Sequence, residues 1–235
     1  MVTLIIYFIA ALGPAAALAY YIYKKDRVER EPPALLLKLA GFGALSALLA
    51  IVLENIADPL ITALYDPWEE PFGYAVVSAF IGVALMEEGA KYLFLRWGSW
   101  KDPNFDCRFD GVVYAVCVSL GFAALENLGY VFGYGLEIAP ARAVLSIPGH
   151  MSFAVVMGYF YSRARLFSNC GDERRSRHYR RWGVVMAALL HGFYDCCLML
   201  ESGLATVVFL VFVAALFFAV FRLVRAESRT DEFIA

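Results

Sequence analysis

The sequence predicts an all-α protein: a polytopic transmembrane helical bundle of about seven spans, N-terminus outside and C-terminus cytoplasmic. Three observations carry that expectation. Of 235 residues, 61% are hydrophobic and 18% charged, with a mean hydropathy of +0.64, which is too apolar for a soluble domain of this length. The apolar residues gather in runs near the roughly 20 residues needed to cross about 30 Å of hydrocarbon. Lys and Arg crowd into alternate linkers, and that asymmetry sets orientation.

The first run, Val2 to Tyr23, has no basic leader and ends in Tyr-Ile-Tyr-Lys-Lys instead of a small-residue cleavage site, so it reads as an uncleaved anchor. The second, Ala34 to Leu53, is followed by an acidic stretch from Glu54 to Pro71 with no Lys or Arg, read as a solvated outer loop or, through Pro67 and Trp68, a guide for a substrate stem. The third and fourth runs are Phe72 to Leu95 and Gly111 to Gly133. In the fifth, Ala143 to Ser162, Pro148 removes a backbone donor beside His150 and is expected to kink or open the helix. Gly183 to Leu200 and Leu204 to Val224 complete the set, and the lengths leave room for an eighth span. With such short linkers, residues 1–235 read as one integral membrane domain. Its motif-bearing core is 72–200, flanked by spans 2–23, 34–53 and 204–224.

The basic residues fall at Lys24, Lys25, Arg27 and Arg30, at Arg96, Lys101 and Arg108, in the stretch from Arg163 to Arg181, and at Arg222, Arg225 and Arg229. The opposite linkers hold only Arg142, while Lys38 and Lys91 lie within spans. The stretch from Arg163 to Arg181 reads as ordinary positive-inside bias or as a contact for anionic lipid. His178, inside it, is expected to be solvated. Cys107, Cys117, Cys170, Cys196 and Cys197 straddle spans and cytoplasmic linkers and read as free thiols. Glycines at 41, 43, 82, 89, 121, 129, 149, 158, 183 and 192 are candidates for close helix contact.

Ionisable groups inside these runs are costly, so Glu87, Glu88, Glu126, His150, His191 and Asp195 are the candidate functional residues. In Met-Glu-Glu-Gly-Ala-Lys, Lys91 stands three and four residues after the two glutamates and can pair with either. Adjacent residues diverge by about 100° around a helix, so Glu87 and Glu88 should play different parts. Glu126 has Asn127 beside it and Phe122 and Tyr130 one turn away on either side, with Tyr130 within reach as a hydrogen-bond partner. His191 and Asp195 share a helical face, where the carboxylate can fix the imidazole. His150 alone reads equally as a packing histidine. Counted from the cytoplasmic ends at about 1.5 Å per residue, Glu87, His191, His150, Asp195 and Glu126 lie roughly 12 to 22 Å deep, in one layer that must be wet. Four ionised carboxylates against Lys91 alone leave about three uncompensated charges, which burial forbids. Protonated carboxyls, charged histidines or a divalent cation among Glu126, His150, His191 and Asp195 would each relieve this. Zinc suits that mixed set, although no His-Glu-x-x-His motif demands a metal.

Glu-Glu-x-x-Lys at 87–91, Phe-x-x-x-Glu at 122–126, Pro-Gly-His at 148–150 and His-x-x-x-Asp at 191–195 follow one another on successive spans. In these motifs the chain resembles the PrsW family of intramembrane proteases, relatives of the CaaX prenyl endopeptidase and Abi superfamily. The resemblance implies hydrolysis of a peptide bond in or beside a prokaryotic plasma membrane, and in the PrsW branch site-1 cleavage of a single-span anti-sigma factor. It implies Glu87 as the base that activates water, assisted by Glu126, supported by Glu88 and Lys91, with His191 oriented by Asp195 to stabilise the oxyanion or protonate the leaving amine. The CaaX branch carries His in place of Glu126 and often Asn in place of Asp195, which makes prenylated substrates a poorer fit. Members are often described as metalloproteases, while these residues suit a glutamate and histidine mechanism as well. The partners are the lipid bilayer and a single-span protein or peptide, with no nucleic acid. Buried Glu, Asp and His chains also build proton relays, so a proton-coupled transporter is the alternative, and a non-catalytic sensor is the third reading.

Overall fold

The computed structural model describes residues 2–234, and among these seven helices are long and apolar enough to cross a membrane. They are α1 (Val2–Lys25), α2 (Pro33–Leu64), α3 (Pro71–Ser99), α4 (Asp110–Tyr134), α5 (Leu136–Asn169), α6 (Glu173–Met199) and α7 (Gly203–Arg229). Each extends beyond its apolar run, α6 at its start only since it ends at Met199, one residue short of Leu200, because helix formation does not stop where lipid does. The acidic stretch after Leu53 is therefore helical as far as Leu64, and the basic stretch after Ser162 breaks only between Asn169 and Glu173. Asp172 caps α6 by accepting from the Arg175 backbone amide at 2.9 Å, and Ser202 caps α7 through Ala205 at 3.1 Å.

The fourth helix is the hub. It is apolar around its whole circumference, and 72% of its most apolar window is buried, against 17% in α1. It packs on α1, α2, α3 and α5, while α6 closes the ring against α3 and α5. Glycine makes the closest of these approaches possible. A Cβ on Gly43 would overlap the Val118 carbonyl, and one on Gly121 would overlap the Ala40 backbone, so α2 and α4 meet backbone to backbone. Gly111 and Gly158 do the same for α4 and α5. Gly41, Gly89 and Gly129 face open space, so the close-contact reading does not extend to them. Gly121→Val should accordingly lower stability by about 3 kcal/mol, while Gly129→Ala should leave it unchanged or raise it. Thermal unfolding of the two purified variants checks this.

Two helices widen into π-helical turns just ahead of the candidate residues. One spans Ser78–Ala84, three residues before Glu87, and the other spans Arg142–Ser146, four residues before His150. Such turns rotate the helix that follows and recur at functional sites. The second stands directly before Pro148, so the interruption expected of its missing backbone donor falls at this widened turn inside α5.

At the end of the bundle that carries the basic linkers, the end of α1, the linker before α4 and the tail of the chain are tied together. The Ser228 hydroxyl bonds the Lys25 carbonyl, Cys107 forms an antiparallel bridge with Phe233, and Arg108 and Arg163 both meet Glu227. Burial pushes the carboxyl of Asp26 up to about 6 and that of Glu31 up to about 7 in the turn between α1 and α2. All five cysteines are free, and His178 accepts a bond from Trp182 on an exposed face.

Candidate active site

The four motif-bearing helices bring their polar groups into direct contact inside the bundle. Lys91 is 2% exposed and lies between both glutamates of α3, donating to Glu87 Oε2 at 2.9 Å and Glu88 Oε1 at 2.7 Å. The sequence spacing allows it to pair with either. Spacings of three and four place the two carboxylates on opposite flanks of one ammonium, so it serves both. The two glutamates nevertheless face different surroundings, as their helical divergence predicts. Glu88 is wholly buried, whereas Glu87 borders a cavity of about 480 Å³.

Lys91 also reaches His150 Nδ1 at 3.1 Å. An ammonium has no lone pair, so His150 accepts there and its Nε2–H is left to donate to Glu126 Oε2 at 2.9 Å. His191 sits between two acceptors: Nδ1 lies 3.0 Å from Glu88 Oε1, and Nε2 lies 3.2 Å from Asp195 Oδ2. The ring can donate to both only as an imidazolium. Glu87 Oε2 is 3.9 Å from the same Nδ1. Phe153 stacks on His191 with ring centroids 4.7 Å apart, and Phe122 lies under Lys91 at 4.0 Å.

Sequence reasoning missed two members. Arg142 was counted as an outer-linker cation, but it lies in the π-helical turn of α5, 9% exposed. It donates to Glu126 at 2.9 Å and to the Asn127 side-chain oxygen at 2.7 Å. Asn127 in turn donates to the Ala11 carbonyl at 2.8 Å, which locks α1, α4 and α5 together. The signal was available, since Arg142 was the one basic residue on the wrong side. Glu54 is the other, because the helical extension of α2 carries it to the wall of the central cavity.

Arg142 also changes two expectations. Among the described residues no hydrogen bond joins Tyr130 to Glu126; the Tyr130 ring lies instead beneath the guanidinium at 3.9 Å. The charge deficit read from the sequence shrinks as well. With Lys91, Arg142 and the His191 imidazolium present, Glu87, Glu88, Glu126 and Asp195 are left one charge short of neutrality rather than three.

The residues close enough to hold a metal are Glu87, Glu88, His150 and His191, each offering one atom within 4.8 Å of the others. This set shares only its histidines with the expected Glu126, His150, His191 and Asp195. Lys91 already bonds three of the four, so its ammonium stands where their donors converge. All four imidazole nitrogens face protein partners. A zinc ion does not fit this donor set while Lys91 remains in it.

The central cavity is lined by Glu54, Glu87, Glu126, Arg142, His150, His191 and Asp195. A second space of about 460 Å³ shares Glu54, Glu87 and Glu126 with it and runs between α2 and α4 past Leu48, Ile51 and Leu125. Leu48 and Ile51 are exposed on the surface of the bundle, so the carboxylates are reachable sideways through an apolar gap.

A profile described as PrsW family intramembrane metalloprotease matches residues 31–221. A protein of Clostridioides difficile named Protease PrsW is 33% identical over 89% of this chain and 86% of its own length. Proteins of the same name from Oceanobacillus iheyensis and Bacillus subtilis are 32% and 30% identical, covering 94% and 83% of this chain and 96% and 83% of their own. No solved structure matches.

Proposed function

The chain belongs to the PrsW family of intramembrane metalloproteases, multi-pass hydrolases of the bacterial cell membrane, and from that premise we propose that it cleaves a single-span membrane protein with water activated by Glu87. The observation that carries this reading is the division between the two glutamates. Glu87 meets the cavity, and Glu88 is sealed beneath it as the fixed counter-ion of Lys91 and His191.

In the proposed reaction, a water beside Glu87 gives it a proton as the water oxygen bonds to the scissile carbonyl carbon. The carbonyl oxygen becomes an oxyanion near the His191 imidazolium, whose two N–H groups are held by Glu88 and Asp195 and which therefore acts on it through its charge. Glu87 then passes its proton to the leaving nitrogen as the C–N bond breaks. The balance is one water added across one peptide bond. Glu126 fixes His150 and Arg142 at the cavity wall, and Asn127 fixes Arg142.

The gap between α2 and α4 suits an apolar helix arriving from the bilayer. Glu54, Arg142 and Met199 line the central cavity, and Met199 ends α6 on the side opposite the basic linkers. If the basic linkers are cytoplasmic, the cavity runs from the carboxylates near the midplane toward the outer face, an arrangement that suits site-1 cleavage of a regulator such as an anti-sigma factor.

The test is cleavage of single-span reporters in liposomes. Reporters with a cleavable segment just outside the outer end of the span should be cut, those with the same segment at the cytoplasmic end should not, and a zinc chelator should leave the rate within a factor of two. Loss of cleavage with the chelator and recovery with zinc would overturn the metal-free reaction. Failure of the folded protein to cut any reporter in the panel would overturn the substrate class.

A further inference from the structure

Beside the central cavity, α2 and the first half of α3 enclose a smaller space of about 290 Å³. It runs from Asp58 and Tyr74 past Ser78 to Glu54, Val83 and Met199, and the last three are walls of the central cavity as well.

Polar groups mark this space along its length. Asn55 and Asp58 are exposed on α2 beyond the apolar run that ends at Leu53, and the Tyr74 hydroxyl donates to Asp58 at 3.4 Å. Exposed charge is costly in hydrocarbon, so this mouth faces water or headgroups. Ser78 lies deeper, 6% exposed, and its hydroxyl has no partner among the described residues. Buried helical serines commonly return a bond to a carbonyl one turn back, as Ser46, Ser99 and Ser152 do here. Ser78 opens the π-helical turn of α3 and makes no such bond. At the inner end, half-buried Glu54 has no ion-pair partner among the described residues. A buried hydroxyl and a carboxyl on the wall of one polar space call for water.

The same turn keeps the space open. Gly82 is on its wall, and a Cβ there would meet Ile61 Cδ1 across it at 2.9 Å. A water takes about 30 Å³ in the liquid, so several fit at once. The gap between α2 and α4 has the opposite character, bordered by Leu48, Ile51 and Leu125. A substrate helix seated there covers that side of the carboxylates with apolar surface, while each cleavage consumes one water.

We propose that the space between α2 and α3 is the water inlet of the active site, supplying the water that Glu87 activates while substrate fills the gap and the central cavity. The inlet rests on the protease reading above. It separates two routes by chemistry: the apolar segment enters between α2 and α4, and water enters past Asp58, Ser78 and Glu54.

The experiment uses the full chain in nanodiscs carrying Ser78→Cys, treated with a small water-soluble methanethiosulfonate whose adduct occupies the space and is removed by a reducing agent. Wild type treated in the same way controls for the native cysteines. Peptide mass spectrometry should find the introduced thiol labelled together with exposed Cys170, and buried Cys117 unlabelled. Labelling should persist when the double variant Ser78→Cys, Glu87→Gln holds an uncut reporter. Modification should lower kcat about tenfold with KM within a factor of two, cationic and anionic adducts should act alike, and the reducing agent should restore the rate. If Ser78→Cys does not fold, Ile61→Cys on the facing wall takes its place. An introduced thiol that stays unlabelled while Cys170 reacts overturns the proposal, as does labelling lost when the reporter is bound. So does labelling that leaves kcat unchanged, which would send water through the mouth of the central cavity, and so do opposite effects of the two adducts, which would report charge near Glu54. Untreated wild type that cuts no reporter counts against the protease reading, and the labelling then still separates an aqueous passage from a dry one.

Discussion

Glu87→Gln is expected to cut the single-turnover cleavage rate by about 10³-fold while leaving the unfolding temperature within a few degrees of wild type. General-base catalysis by a positioned side chain is worth about 10² to 10⁴ in rate, and the other carboxylates of the polar network, Glu88, Glu126 and Asp195, are already engaged. Glu88 is sealed from the cavity, while Glu126 is occupied by His150 and Arg142. Glutamine keeps the size of the side chain and an oxygen for the Lys91 ammonium, so packing and one 2.9 Å contact survive. What it loses is the basic oxygen. Substrate affinity should be unchanged, so the variant should trap an intact reporter that crosslinks to the cavity wall. Cleavage within tenfold of wild type would remove Glu87 from the reaction, and a matching loss of stability would reduce it to a structural acid.

The bundle and most of its site were legible in the sequence for a simple reason: lipid removes alternatives. A run such as Gly203–Arg229 can satisfy its backbone only as a helix, and a carboxylate such as Glu88 inside one such run must face another polar group. The pairings His191 with Asp195 and Lys91 with the two glutamates followed from helical spacing, which is a local rule. What spacing could not supply was contact between helices. Arg142 reaches Glu126 across sixteen residues only because α5 starts earlier than its apolar run and widens into a π-helical turn there. Glu54 was placed in a loop because the sequence marks where lipid ends, not where the helix does. The burial of Asp26 and Glu31 was invisible for the same reason, as each acid looks like an ordinary linker charge until the end of α1 packs beside the start of α4 and the tail after α7.

Arg142 also bears on what the central charges ask for. Four carboxylates and one lysine suggest a missing cation, and a metal is the natural candidate. Four carboxylates with Lys91, Arg142 and a doubly hydrogen-bonded His191 are nearly balanced, and the demand largely disappears. The family's description as metalloproteases and the donor geometry thus pull in different directions at one residue. That residue is Lys91.

Lys91→Met is therefore the second large effect to expect, and it has two parts. Removing the ammonium leaves Glu87 without its hydrogen-bond donor, Glu88 with His191 alone and His150 Nδ1 without a partner, in a place where Lys91 is 2% exposed. Breaking a buried charge pair by deleting one member costs about 3 to 5 kcal/mol, which for a chain of this length lowers the unfolding temperature by roughly 10 °C. Methionine fills the lysine stem, so the loss reports charge and not volume. The second part is the metal. With Lys91 gone, Glu87, Glu88, His150 and His191 keep their donor atoms within 4.8 Å and lose the cation between them. The variant should then acquire close to one zinc per chain on exposure and dialysis and recover part of its stability, whereas the wild type should acquire none. Elemental analysis alongside thermal unfolding reads both. A wild type that holds stoichiometric zinc at these donors with Lys91 intact would mean that the ammonium yields its place. Activation of water would then pass from Glu87 alone to a bound ion.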